Sequence, residues 1–208
     1  MIVSPHGEIL AQAGEDAVCC LHVVDLFALE AERSPFCPPG ERGWRRSDRD
    51  KITTSLAALQ PQLAAIRRQG ASIAFTNGCF DLLHAGHVSY LERARRCADC
   101  LVVGLNSDES IQRLKGSNRP VQTELERARV LASLGCVDFV ILFSEDTPLK
   151  LIKALMPDVL VKGADWPEDK IVGAREVQQA GGRVERIAFT YQQSTSSIIA
   201  KIVGQGLS

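Results

Sequence analysis

The sequence predicts an α/β fold in which a parallel sheet of about five strands is doubly wound, with helices on both faces. Two observations carry this reading. Short β-branched runs alternate with helical patterns from residue 51 onward, the pattern of a parallel sheet covered on both faces. The segments between them are long enough for crossover helices, and right-handed crossovers bring the loops after the strands to one edge.

The elements follow in order. Leu56, Leu59, Leu63 and Ile66 repeat at helical spacing, and Gly70 supplies a stop. Residues 72–76 (SIAFT) form the first strand, followed by a loop and a helix from about His87 to Arg96. Strands are then expected at 100–105 (CLVVGL), 137–143 (VDFVILF), 158–161 (DVLV) and 183–189. Helices are expected at 124–134, at 148–155 (stopped before Pro157), at 172–179 (stopped by Gly181 and Gly182) and at 196–203.

Residues 1–50 read as an extension and 51–208 as the main domain. Within the extension, 17–24 (AVCCLHVV) has the pattern of a short strand and 25–33 that of a helical turn or two. The stretch 34–50, rich in proline, glycine and arginine, has linker composition.

Composition narrows the function classes. The chain has 208 residues, 45% hydrophobic and 24% charged, which excludes a long disordered or fibrous protein. A net charge of −1, from 24 basic and 25 acidic residues, argues against a dedicated nucleic-acid binder. No apolar run reaches membrane-spanning length and no signal-peptide pattern opens the chain, so no membrane is expected and a reducing cytoplasm is the expected compartment. The seven cysteines are an odd count without the spacing of a disulfide framework. Cys97 and Cys100 form a single C-x-x-C with no closing ligands, so no protein metal site is expected.

The chemistry concentrates in residues 76–87, TNGCFDLLHAGH, where the first strand hands over to its helix. A helix start presents unpaired N–H groups and partial positive charge, which suits a phosphate. Gly86 allows close approach of backbone to ligand, and Gly78 leaves room at the strand end. His84 and His87 can donate to phosphate oxygens. Neither a Walker loop nor G-x-G-x-x-G is present. Further stretches fall after later strands and so converge on the same edge. Lys115 lies in LKG, with Arg119 and Arg127 beyond it. VKGADW offers Lys162, Gly163, Asp165 and Trp166, the last as core or as a platform for a base. QSTSS opens the last helix with hydroxyls that either cap it or meet a phosphate.

The stretch FTNGCFDLLHAGHVSYLERAR resembles the signature of the H-x-G-H nucleotidyltransferase superfamily. Within it, the match is closest to D-glycero-β-D-manno-heptose 1-phosphate adenylyltransferases. VGLNSDESIQRLKGSNRPV, Glu126–Arg127, VDFVILFSEDTP, PDVLVKGADW and STSSII agree with that family in order and spacing. The resemblance implies a Rossmann-like fold and transfer of AMP from ATP to a heptose 1-phosphate. The products would be ADP-heptose, for the lipopolysaccharide inner core, and pyrophosphate, with Mg²⁺ held mainly by the phosphates. It implies that His84 and His87 hold the triphosphate and that Lys115 and Arg127 neutralise phosphate charge. Ser194, Thr195 and Ser196 would donate to the β- and γ-phosphates. Asn77, Gly78, Cys79, Phe80, Gly163 and Asp165 would border the nucleotide. Asp81 would order the loop, cap it or touch the metal. Since many relatives carry this domain behind a sugar kinase, a separate kinase is the expected upstream partner, and a homo-oligomer such as a dimer is expected.

MIVSPHGEILAQAGED and VVDLFALEAERSPF weakly resemble the C-terminal end of nitrilase-type hydrolases, but no amidase activity is expected. Two other readings stand beside the first. One is a cytidylyltransferase acting on glycerol 3-phosphate, whose relatives usually carry arginine where Tyr191–Gln192 stand here. The other is a non-catalytic nucleotide-binding module.

Overall fold

The structure, a computed structural model, describes residues 2–3, 9–11, 50–188 and 195–204. The chain divides into two units, Met1–Arg45 and Arg46–Ser208. In the first, β1 (Ile2–Val3) pairs antiparallel with β2 (Ile9–Ala11). The strand expected over 17–24, the helical turns over 25–33 and all but the last residue of the linker over 34–50 lie outside the described residues.

The second unit opens with β3 (Ile52–Thr53), α1 (Leu56–Arg68), β4 (Ile73–Gly78) and α2 (Ala85–Arg95). Next come β5 (Cys100–Asn106), α3 (Asp108–Lys115), α4 (Glu124–Ala132) and β6 (Phe139–Phe143). Then follow α5 (Leu149–Leu155), β7 (Val159–Gly163), a 3-10 turn (Glu168–Lys170) and α6 (Ala174–Gln179). The unit ends with β8 (Arg183–Ile187) and α7 (Thr195–Gly204). Six strands form one parallel sheet in the order β3-β6-β5-β4-β7-β8. This is a Rossmann-like α/β sheet. From β4 the chain works outward through β5 to β6 on one side, then crosses to β7 and β8 on the other. The order therefore reverses between β4 and β7, and ligands of open α/β sheets bind outside the carboxyl ends at such a point.

Burial explains why these runs are strands. Every residue of β5 is buried, as are Ile73, Ala74, Phe75 and Thr76 of β4. On one face Leu101, Val103, Val140 and Val159 pack with Leu91 and Ala94 of α2 and with Ala128 and Leu131 of α4. Ile73, Phe75, Val102 and Leu160 are equally buried toward the other face, where α1 packs on α5 and α5 on α6. Gly104 is required by the fit: a Cβ there would lie 2.8 Å from Cζ of Phe75.

Aspartates close the amino edge of the sheet. Asp99 accepts from the Ser72 N–H at 2.9 Å, Asp158 from Ile73 at 2.8 Å and Asp138 from Leu101 at 2.8 Å. The carboxyl edge is left for ligands.

Besides β1, β2 and the 3-10 turn, two elements of the second unit were not legible. β3 is two residues long and adds a sixth strand beside β6. α3 (DESIQRLK) is mostly polar, and Ser107 caps it by accepting from the Ser110 N–H.

Candidate active site

The loop after β4 is shaped by its own residues. Phe80 adopts φ 43°, a left-handed conformation uncommon for a side chain of this size. Its ring folds back over Gly78, where a Cβ would lie 3.0 Å from Phe80 Cε2. The space above Gly78 thus belongs to Phe80 rather than to a ligand. α2 begins at Ala85, two residues earlier than expected, which makes His84 the extended N-cap and His87 the third helical residue.

That placement stacks the two imidazoles, with centroids 3.9 Å apart and planes at 28°. Phe80 meets His87 edge-on at 5.2 Å. The Nδ1 atoms of both rings are buried without a hydrogen-bond partner. Burial lowers the pKa of His84. Burial also lowers His87 to about 4; His84 and Lys115 add to this and the Leu82 backbone opposes it. Both rings are therefore neutral hydrogen-bonding groups at pH 7, each carrying one N–H.

A pocket of about 180 Å³ opens at the carboxyl ends of β4 and β7. Asn77, Gly78, Cys79, Phe80 and Asp81 line it from the β4 side, with His87 and Tyr90 from α2 and Lys115 from the end of α3. Lys162, Gly163, Asp165 and Trp166 line it from the β7 side, and Thr195 from the start of α7. The Lys162 ammonium donates to Asn77 Oδ1 across the switch in strand order. The Thr195 hydroxyl donates to the Leu82 carbonyl at 3.3 Å, tying α7 to the loop.

Burial lowers Lys162 to about 8, with Asp165 and Cys79 opposing. A phosphate favours the charged ammonium, so binding takes up a proton once the pH passes this value. Affinity for a phosphate-bearing ligand should therefore fall by up to about tenfold per pH unit above pH 8. The same titration in K162Q should be flat between pH 7 and 9.5, and an equal fall in that variant would remove Lys162 as the cause.

Two expected site residues are committed elsewhere. The Arg127 side chain is fully buried. Its Nη1 donates to the Cys79 carbonyl at 2.7 Å, Nη2 to Asp108 Oδ1 at 2.6 Å and Nε to the Gln122 carbonyl at 3.1 Å. It therefore stands behind the pocket wall and offers no face to a phosphate, which corrects the charge-neutralising role expected of it. Asp81 borders the pocket, but its carboxylate is taken up by Arg119 at 2.6 Å and by the Val121 and Gln122 N–H groups at 2.7 and 3.3 Å. It orders the loop and is not free to hold a metal. Glu126 closes a capping box with Thr123 at the start of α4.

His84, Gly86 and Ser196 do not line the pocket, although His84 backs His87. Ser194 lies outside the described residues. The sequence reading missed Tyr90, whose hydroxyl lies 2.8 Å from Thr76 Oγ1 and whose pKa burial raises. Its position three residues after His87, on the same helix face, was the available signal.

Stacked neutral imidazoles at a helix start, with two lysines converging at the switch point of a parallel sheet, are the apparatus of a nucleotidyltransferase. Residues 75–202 match the family described as cytidylyltransferase-like, and the chain belongs to that family. It is 52% identical over 162 residues to the "Bifunctional protein HldE" of Geotalea uraniireducens, covering 78% of this chain and 33% of that one. It is 51% identical over 170 residues to the protein of the same name in Geobacter sulfurreducens, covering 82% and 35%. The chain thus spans about a third of the length of the curated relatives it matches. The solved "lipopolysaccharide core biosynthesis protein" of Thermoplasma volcanium is also similar, with a TM-score of 0.50 and 28% identity over 60% of this chain and 100% of that one.

Proposed function

We propose that the chain transfers AMP from ATP to a sugar 1-phosphate, D-glycero-β-D-manno-heptose 1-phosphate above others, releasing ADP-heptose and pyrophosphate. The observation that carries this reading is the H-x-G-H helix start at the switch point, in a chain half identical to the HldE proteins over most of its length. A solved relative named for lipopolysaccharide core biosynthesis supports the same pathway.

An oxygen of the sugar phosphate attacks the α-phosphorus of ATP, and the bond to the pyrophosphate oxygen breaks. The nucleophile is already ionised, so the site needs no general base; positioning and charge neutralisation do the work. His87, backed by His84, donates from Nε2 to the α-phosphoryl oxygens. Lys115 and Lys162 supply positive charge from opposite sides of the pocket. Thr195, whose hydroxyl already donates to the Leu82 carbonyl, meets the departing phosphates through its backbone N–H at the start of α7, and Ser194 and Ser196 are the hydroxyls left to offer. Asn77, Gly163, Asp165 and Trp166 border the nucleoside. Mg²⁺ would enter with ATP and neutralise its phosphates. With Asp81 committed, Asp165 is the lining carboxylate left to meet it, which suits an ion that keeps few protein ligands.

Among the described residues no helix is long and apolar enough to cross a membrane. We place the reaction in the cytoplasm, with a sugar kinase supplying the acceptor and the enzyme acting as a homo-oligomer.

The test is a panel of ATP and CTP against heptose 1-phosphate, other sugar 1-phosphates and glycerol 3-phosphate, scored by pyrophosphate release. ATP with the heptose should give the highest kcat/KM. Preference for CTP with glycerol 3-phosphate would overturn the reading in favour of a cytidylyltransferase. Tight ATP binding without turnover on any acceptor would make the chain a binding module.

A further inference from the structure

A second opening, of about 530 Å³, lies on the same edge of the sheet and has no part in the chemistry described above. Thr54 follows β3, Ser144 and Glu145 follow β6, and Ser107 follows β5, so the cleft runs along three neighbouring strand ends. Glu124 and Lys150 complete its polar lining. Three hydroxyls and two carboxylates line it together with apolar residues that include Ile141 and Leu151. Two glutamates make it a poor place for a phosphate. Paired hydroxyls of a polyol, which donate to carboxylates and accept from serine and threonine, fit it well.

The cleft is built in advance. The loop carrying Ser144 and Glu145 is pinned to α3 through its backbone: Ser110 Oγ donates to the Glu145 carbonyl at 3.1 Å, and Arg113 donates to the Ser144 carbonyl. Arg113 also pairs with Asp146 at 2.8 Å, and the Ser107 N–H donates to the Phe143 carbonyl at 2.9 Å. None of these bonds uses the Ser144 hydroxyl or the Glu145 carboxylate. Glu145 faces Lys150 at 3.5 Å, and one oxygen of Glu124 accepts from the Asp108 N–H at 2.8 Å.

Helix α3 has one end at each opening. Its cap, Ser107, lines the cleft, and its last residue, Lys115, lines the nucleotide pocket. Eight residues span about 12 Å, close to the length of a sugar carrying a phosphate. We propose that this cleft is the subsite for the hydroxyl-bearing end of the acceptor, which lies along α3 with its phosphate directed toward Lys115 and His87. The proposal rests on the transferase reading above and adds the residues that select the acceptor.

The test uses E145Q and S144A in the full chain, since both side chains sit on a loop held by its backbone. KM for heptose 1-phosphate should rise at least tenfold in E145Q and at least threefold in S144A. KM for ATP, kcat and the melting temperature should stay near wild type. The phosphate-free heptose should inhibit the wild type competitively against the sugar phosphate and lose that effect in E145Q. Normal transfer with an acceptor KM within twofold of wild type in both variants overturns the cleft assignment and leaves the transferase reading intact. Failure of the wild type to use any sugar phosphate overturns both.

Discussion

H87A is expected to lower kcat at least 100-fold while leaving a folded protein. Losing one preorganised donor to a developing charge typically costs two to three orders of magnitude, about 2.7–4 kcal/mol of transition-state stabilisation. The structure explains why folding should survive. His87 is half-buried, its Nδ1 bonds to nothing, and its neighbours are a stacked ring and the edge of Phe80. The backbone of α2 does not need the imidazole, so the melting temperature should fall by only a few degrees. The pH profile gives a second check. With His87 near 4 in the free protein, its protonation cannot account for a loss of kcat/KM between pH 7 and 6. A kcat within tenfold of wild type in H87A would remove this residue from the phosphoryl step.

R127M is expected to act on stability first. Its guanidinium satisfies two backbone carbonyls and Asp108 in a place closed to solvent. Removing one partner of a buried pair leaves the others unpaired, at a typical cost of about 3–5 kcal/mol. Asp108 retains some contact with water, so the lower end applies. For a domain of this size that corresponds to a fall in melting temperature of roughly 6–12 °C. R127K should fall almost as far, because an ammonium cannot reproduce three bonds in the plane of a guanidinium. A direct phosphate contact predicts the opposite pattern, a raised KM for ATP at unchanged stability. Thermal melts and steady-state kinetics on the same two proteins separate the alternatives.

The two arginine readings show where sequence is informative and where it stops. β4, β5 and β6 are strands whose faces are both covered, so their apolar runs read directly. The H-x-G-H turn could be placed because strand and helix signals flank it. A charged residue type, by contrast, does not say which way its side chain points. Arg127 was read as facing a ligand because it is cationic, yet it falls in register with buried Ala128 and Leu131 on the inner side of α4. That spacing was present in the sequence and carried the better answer. Asp81 needed the fold itself: its partners Arg119, Val121 and Gln122 come from a loop about forty residues later, and no local pattern foretells that meeting. Helix α3 was invisible to periodicity because Ile111 is its one buried large apolar residue. The cleft beside it was missed for the same reason, since it depends on three strand ends being neighbours, with Ile52–Thr53 outermost.

The corner between β4 and α2 is bolted from the rear, through Arg127 to Cys79 and through Arg119 to Asp81. Its form owes little to the side chains that face outward. Substitution at Trp166 is therefore expected to change which base is accepted without reshaping that corner. Chemistry and scaffold can be inherited separately, and a descendant that lost its imidazoles would still fold.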